Sequence, residues 1–259
     1  MIPKIIHYCW FGGNPLPPLA QKCIKSWKKY CPDYEIVRWD ESNFDIANAP
    51  LYVKQACTVG KWAFVSDYAR LIIVYQHGGI YLDTDVELLK NLDPLLINES
   101  YFGREDDIYV NTGLGFGAEK GTRILKELAE DYQDIPFVRD DGSFDMLACP
   151  IRNHRVFEKY GLKMGNGYQI LSNGTAIYPI EYFNPKNTKT NLVKITCNTY
   201  SIHDYSASWY DEETLKSREK WRRKNRIQEY KRIPYKILRK LLGDKLYSRV
   251  RTIVRRNRP

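Results

Sequence analysis

Gly78-Gly79-Ile80-Tyr81-Leu82-Asp83-Thr84-Asp85 is the stretch from which the rest of this 259-residue chain is read. Two glycines close the segment before it, since glycine takes the left-handed geometry of a helix C-terminus without steric cost. Ile80, Tyr81 and Leu82 then make a short buried strand, and two aspartates stand at its C-terminal end. Residues i and i+2 of an extended segment point to one side, so Asp83 and Asp85 face a common space. Carboxylates held that close resist ionisation unless a cation compensates, and a divalent metal with oxygen ligands is the natural partner. An aspartate pair of this spacing is also frequent in loops, so the pair alone leaves both readings open. Its place at a strand end, where ligands of open α/β sheets collect, favours a site.

Working outward, residues 60–77 have helical spacing, with Ala63, Val65, Ala69, Ile72 and Ile73 as the apolar surface. Asp67 and Arg70 share a face of that helix at i, i+3, with Ser66 beside them. On a solvated face such a pair is worth little. On a buried helix each charge needs a partner, the other residue or a ligand. Further upstream, residues 2–10 read as a strand, 17–30 as a helix with Leu19, Cys23, Ile24 and Trp27 on one side, and 34–39 as a second strand. This β-α-β opening indicates an α/β domain with parallel pairing. Downstream, residues 101–103 and 109–118 read as strands, 121–132 as a helix, and 198–203 as a late strand. Residues 134–175 give no clear pattern and are expected to contain loops.

The ordered set Ala63-x-x-Ser66-Asp67-x-x-Arg70 followed by residues 78–85 resembles the DXD sugar-binding region of the glycosyltransferase 32 family. It is also similar to the glucosyltransferase domains of the large clostridial toxins. The opening residues 2–13 resemble the first strand of those enzymes, and His203 with Ser208-Trp209 resembles their closing segment. Cys149-Pro150 stands where some relatives show Gly-Pro. The resemblance implies a GT-A fold: a single α/β domain, residues 1–212, with a mixed, mostly parallel sheet. It implies a nucleotide-sugar donor (UDP-hexose first, GDP-mannose next), a Mn²⁺ or Mg²⁺ cofactor, and retention of anomeric configuration. Carried over by residue, Trp10 stacks on the donor base, Asp67 and Arg70 bind the donor sugar with Ser66 nearby, and Tyr81 and Asn111 line the donor pocket. Asp83, Asp85 and His203 hold the metal, and Ser208 and Trp209 approach the diphosphate. The catalytic group is then Asp83, Asp85, Asp67 and Arg70. The implied reaction is hexose transfer to a glycan or lipid-linked glycan in capsule, O-antigen or lipopolysaccharide synthesis.

Two other classes fit parts of the pattern. A glycoside hydrolase would use the Asp83/Asp85 pair as acid and nucleophile, although neighbours on one strand share an environment, which makes divergent acidities hard to arrange. A non-catalytic nucleotide- or carbohydrate-binding protein would need the same pocket without turnover.

The net charge of +9 conceals an asymmetry. Residues 214–259 carry a net +15, with 18 Lys or Arg against Glu219, Glu229 and Asp244, and the remainder carries −6. Residues 213–259 are expected to form a basic, amphipathic helical tail: Ile237, Leu238, Leu241, Leu242, Leu246, Val250, Ile253 and Val254 make one stripe with Lys and Arg beside it. Helices of this kind lie in the interface of anionic membranes, which points to the inner face of the cytoplasmic membrane. No nucleic-acid motif is present, so no nucleic-acid partner is expected. Six cysteines lack metal-site spacing and read as reduced thiols. The N-terminus lacks the pattern of a signal peptide.

Overall fold

A computed structural model describes residues 1–206, 213–214, 216–230 and 243. The chain divides into two units. One comprises Met1–Lys186 with Lys194–Trp209, the other Asn187–Val193 with Tyr210–Pro259. Within the second, residues 213–214 and 216–230 are helical, and Arg222 Nε donates to Thr188 O at 3.2 Å. The apolar stripe expected between Ile237 and Val254 lies outside the described residues, as do Ser208 and Trp209.

The first unit opens as the sequence indicates, with β1 (Ile5–Cys9), α1 (Pro18–Tyr30) and β2 (Glu35–Trp39). Pro18 takes the first position of α1, where its missing N–H is not needed. Lys28 and Lys29 fill the last turn, where the helix dipole favours cations. Helix α1 buries Ala20, Cys23 and Trp27, and Leu19 and Ile24 are only partly covered. There follow α2 (Leu51–Thr58), α3 (Trp62–His77), β3 (Gly79–Tyr81), β4 (Val86–Leu88), a 3₁₀ turn (Asp93–Leu95), β5 (Ser100–Arg104), β6 (Val110–Ala118) and α4 (Arg123–Glu130). The stretch 134–175, where no pattern is clear and loops are expected, also contains α5 (Cys149–Arg152), α6 (His154–Lys159) and β7 (Gln169–Ile170). The chain goes on with β8 (Ala176–Tyr178), α7 (Ile180–Phe183) and β9 (Ser201–His203).

The main sheet has the order β2-β1-β3-β6-β5-β8-β7. From the pairings, β1, β2, β3, β5 and β8 run one way and β6 and β7 the other. This is the expected α/β class with a mixed, mostly parallel sheet. Successive residues of a strand face opposite sides. Accordingly Ile80 and Leu82 join a core with α1 and β4, while Tyr81 joins one with α2, α3 and α4. Tyr101 and Phe102 divide in the same way. Large side chains fully covered in this manner contribute about 1.5–3 kcal/mol each.

The Gly78-Gly79 corner is fixed by its neighbours. Gly78 ends α3 at φ +70°, with its N–H on Val74 O at 2.8 Å. A Cβ on Gly79, at φ +104°, would come within 2.8 Å of Ile5 O. His7 reaches the same corner and hydrogen-bonds Gly78 O through Nε2 at 2.9 Å, while the Trp39 indole donates to His7 Nδ1 at 3.1 Å. Nδ1 therefore accepts and Nε2 carries the proton. Burial lowers the His7 pKa to about 4, so the ring stays neutral at physiological pH. His7 is a fold residue that sets the turn delivering the aspartates.

Candidate metal and donor site

Helix α3 buries Arg70, which is 4% exposed. The guanidinium donates to Ser66 O at 3.0 Å and to Asp83 Oδ2 at 3.4 Å, and forms ion pairs with Asp67 Oδ1 at 2.7 Å and Asp83 Oδ1 at 3.4 Å. It lies 5.0 Å from the centre of the Tyr81 ring. The Tyr81 hydroxyl donates to Asp83 Oδ1 at 2.9 Å. The Asp67–Arg70 pair is thus the buried arrangement, and Asp83 is its third member. Burial raises the Asp67 and Asp83 pKa values, with Arg70 opposing in each case. For Arg70 burial acts against the charge, but Asp83, Tyr81 and Asp67 outweigh it and hold the guanidinium protonated.

Asp85 sits beyond β3, beside a second, two-stranded sheet in which β4 pairs antiparallel with β9. The register sets His203 opposite Val86, so His203 arrives next to Asp85. The Trp27 indole braces β4 by donating to Val86 O at 2.7 Å. His203 Nε2 is 3.0 Å from Asp85 Oδ1, and Ser206 N–H donates to Asp85 Oδ2 at 2.8 Å. Lys186 clamps the same segment through Asp204 Oδ1 at 2.6 Å. Burial pushes the Asp85 pKa up, but His203 and the Ser206 N–H outweigh it and hold the carboxyl well below its usual range. For His203 burial works against the charge, and Asp85 reverses it, so its pKa is raised. The two aspartates are driven in opposite directions, Asp83 up and Asp85 down. The expectation that neighbours on one strand share an environment is therefore corrected: Arg70 and Tyr81 serve one, His203 and Ser206 the other.

Asp83, Asp85 and His203 can each present a ligand atom within 4.8 Å of the others. Two hard carboxylates and one imidazole suit Mn²⁺ or Mg²⁺. His203 Nδ1 is buried without a partner, and Nε2 faces the carboxylate. The residues fit such an ion.

Asn111 arrives by an irregularity. The β5–β6 register breaks between Phe102 and Gly103, where the partner jumps from Phe116 to Asn111. Bulges of this sort re-aim side chains beside active sites. Asn111 Oδ1 accepts from Gly113 N–H at 2.6 Å, and the Cys149 thiol donates to it at 3.7 Å. A Cβ on Gly113 would come within 2.7 Å of Asp83 Oδ2 and 3.1 Å of Arg70 Nη1. Glycine there lets the backbone pass against the acidic pair.

The structure brings Asp67, Arg70, Tyr81, Asp83, Asp85, Asn111 and His203 together. Ser66 contributes its carbonyl, and its hydroxyl turns to Trp62 O at 3.0 Å. Trp10 follows β1 at the same end of the sheet as the residues after β3, half-buried, with its indole on Asn14 O at 2.6 Å. Sequence reasoning missed Glu105, Lys186 and Tyr205, which lie outside the elements it read, and Gly113, which lies inside the expected strand 109–118. It noted Cys149-Pro150 only by its place in the family pattern, and the structure puts that thiol against Asn111.

Residues 17–102 match the family model for the glycosyltransferase sugar-binding region containing the DXD motif. This chain carries that DXD region. Inositol phosphoceramide mannosyltransferase 3 of Schizosaccharomyces pombe is 33% identical over 139 residues, covering 52% of this chain and 38% of that protein. The uncharacterized glycosyltransferase L373 of Acanthamoeba polyphaga mimivirus is 33% identical over 105 residues, covering 37% of this chain and 40% of that one. The chain thus spans about two fifths of the length of these curated relatives. Among solved structures, the PaToxG glycosyltransferase is similar at 19% identity and a TM-score of 0.49, covering 61% of this chain and 69% of that one. The DXD region ends within β5, so Asn111, Cys149 and His203 join the site from outside it.

Proposed function

We propose that this chain is a metal-dependent glycosyltransferase that moves a hexose from a nucleotide sugar to a glycan or lipid-linked glycan. The observation that carries this reading is the joining of a carboxylate–imidazole cluster to a buried Asp67–Arg70–Asp83 network. Bound by Asp83, Asp85 and His203, a Mn²⁺ or Mg²⁺ ion would neutralise charge on a departing diphosphate. Asp67 and Arg70 present a carboxylate and fixed N–H donors, the complement of sugar hydroxyls. Arg70 also opposes the upward push that burial gives Asp67 and Asp83, and its contacts fix both side chains before a donor arrives. Asn111, fixed by Gly113 and Cys149, faces the same space. Trp10 offers an aromatic surface for the base.

The test is a panel of UDP-glucose, UDP-galactose and GDP-mannose with Mn²⁺, read as release of nucleoside diphosphate. GDP-mannose enters because relatives are named mannosyltransferases. Release from one donor, abolished by chelator, is expected. No release across the panel would count against a transferase. The alternative for the same aspartate pair, a glycoside hydrolase, predicts glycoside cleavage that persists in chelator.

For the basic tail we propose docking on an anionic membrane, supported by its net +15 and apolar stripe. Full-length protein should sediment with phosphatidylglycerol vesicles at low salt, and a chain ending at Glu213 should stay in solution. Equal partitioning of the two would sink the idea.

A further inference from the structure

The Asn111 amide stands beside Asp83 and Arg70 and is held at both ends. A Cβ on Gly113 would lie 2.7 Å from Asp83 Oδ2, 3.0 Å from Asn111 Oδ1 and 3.1 Å from Arg70 Nη1, so these three atoms surround one point. Asn111 Oδ1 accepts from Gly113 N–H at 2.6 Å and from the Cys149 thiol at 3.7 Å, which occupies both of its lone pairs. At the other end Nδ2 donates to Glu105 Oε2 at 3.2 Å. Reversing the amide would set its NH₂ against the Gly113 N–H and its oxygen against a carboxylate, so partners on both sides decide its orientation. An amide nitrogen carries two hydrogens. Glu105 takes one of them, and among the described residues no acceptor meets the other.

Glu105 is itself anchored. It follows β5, with its N–H on Tyr109 O at 2.9 Å, and its carbonyl accepts from Asn184 Nδ2 at 2.9 Å. Asp106 Oδ1 closes the turn behind it by accepting from the Ile108 and Tyr109 N–H groups, each at 2.8 Å. The carboxylate thus reaches Asn111 from a backbone that is bonded on both sides. Supports of this kind keep a recognising group in its productive geometry.

Resting on the glycosyltransferase reading, we propose that Glu105 is a positioning residue, which locks the Asn111 amide so that its remaining N–H is offered to an oxygen of the donor sugar. Glu105 acts through Asn111 and does not touch the sugar. The locked amide adds a donor of fixed direction to the Asp67 carboxylate and the Arg70 guanidinium. Without the Glu105 carboxylate the NH₂ end loses its partner, and the amide can turn and present its oxygen instead.

The experiment uses full-length protein, Mn²⁺ and the nucleotide-sugar panel, read as kcat/KM for donor hydrolysis, with calorimetric affinity for UDP and GDP alongside. Glu105→Gln keeps an oxygen that can accept from Asn111 and should stay within about threefold of the parent. Glu105→Ala removes that oxygen and Glu105→Asp draws it back, so each should lower kcat/KM about tenfold, the size of one hydrogen bond. Affinity for the nucleoside diphosphate, which lacks the sugar, should not change. Asn111→Ala should lose as much, and adding Glu105→Ala to it should cost nothing more, because residues acting through one contact are not additive. A Gln variant as impaired as the Ala variant, Ala and Asp variants at the parent rate, or a further tenfold loss in the Asn111→Ala background overturns the positioning role. So does a loss of nucleoside diphosphate affinity in proportion to rate, which marks a general structural defect. Where Glu105→Ala does not fold, Glu105→Asp decides. A parent that binds neither UDP nor GDP overturns the glycosyltransferase reading, and the positioning role with it.

Discussion

Asp85→Asn should abolish metal-dependent donor hydrolysis while leaving the chain folded. Asparagine matches aspartate in shape and can still accept from Ser206 N–H, so the contact that ties residue 206 to the site survives. What it removes is the carboxylate charge facing His203. Cation neutralisation of a leaving group is worth several kcal/mol, and each 1.36 kcal/mol is tenfold in rate. The loss should therefore be about 10³-fold or more. Calorimetry with Mn²⁺ should show affinity falling with rate, and circular dichroism should be unchanged. A variant that keeps its Mn²⁺ affinity and its rate would remove Asp85 from the metal site.

Arg70→Ala carries the other large effect, and it shows first in stability. Its removal leaves the Asp67 and Asp83 carboxylates near one another without the guanidinium that pairs with both. Stripping one partner from a buried ionic group costs about 3–5 kcal/mol. Denaturant unfolding should report a loss of that order, and donor hydrolysis should fall below detection. Arg70→Lys should recover much of the stability, since a charge returns, but little activity, because one ammonium cannot reproduce a planar fork that meets Asp67, Asp83 and the Ser66 carbonyl. A loss under 1 kcal/mol in the alanine variant, with activity retained, would class the pair with surface ion pairs.

Much of this was legible in the sequence where local pattern and chemistry coincide. Strand β3 and its glycine corner were readable because the turn at Gly78 and Gly79 is local, and α3 because its apolar period is strong. The Asp67–Arg70 pair was visible as a shared face; its burial followed from the apolar neighbours. What the sequence withheld is non-local. The segment 198–203 reads as a strand, but nothing local indicates that it pairs with β4 and so brings His203 to Asp85. The register break after Phe102 places Asn111 and Glu105, and nothing in Gly103-Arg104-Glu105-Asp106-Asp107 signals it. Helices α5 and α6 are one turn or two, too short for an apolar face to repeat. The divergence of Asp83 and Asp85 depended on partners from three separate segments, so adjacency along the chain misled about their acidities.

The β4–β9 pairing has a consequence for the order in which the protein comes into being. Asp85 and Ser206 lie 121 positions apart, so a growing chain emerges with its aspartates well before the strand that completes their cluster. Closing so long a loop costs entropy before the contact returns any stabilisation. Asp67, Arg70 and Asp83 lie within α3 and the turn after β3, close together along the chain. During synthesis Asp67, Arg70, Asp83 and Asp85 are therefore all made before His203, which can join their cluster only after residues 201–206 have left the ribosome. A truncated translation product that ends before β9 carries the whole DXD region yet lacks the His203 that completes the Asp83–Asp85–His203 cluster.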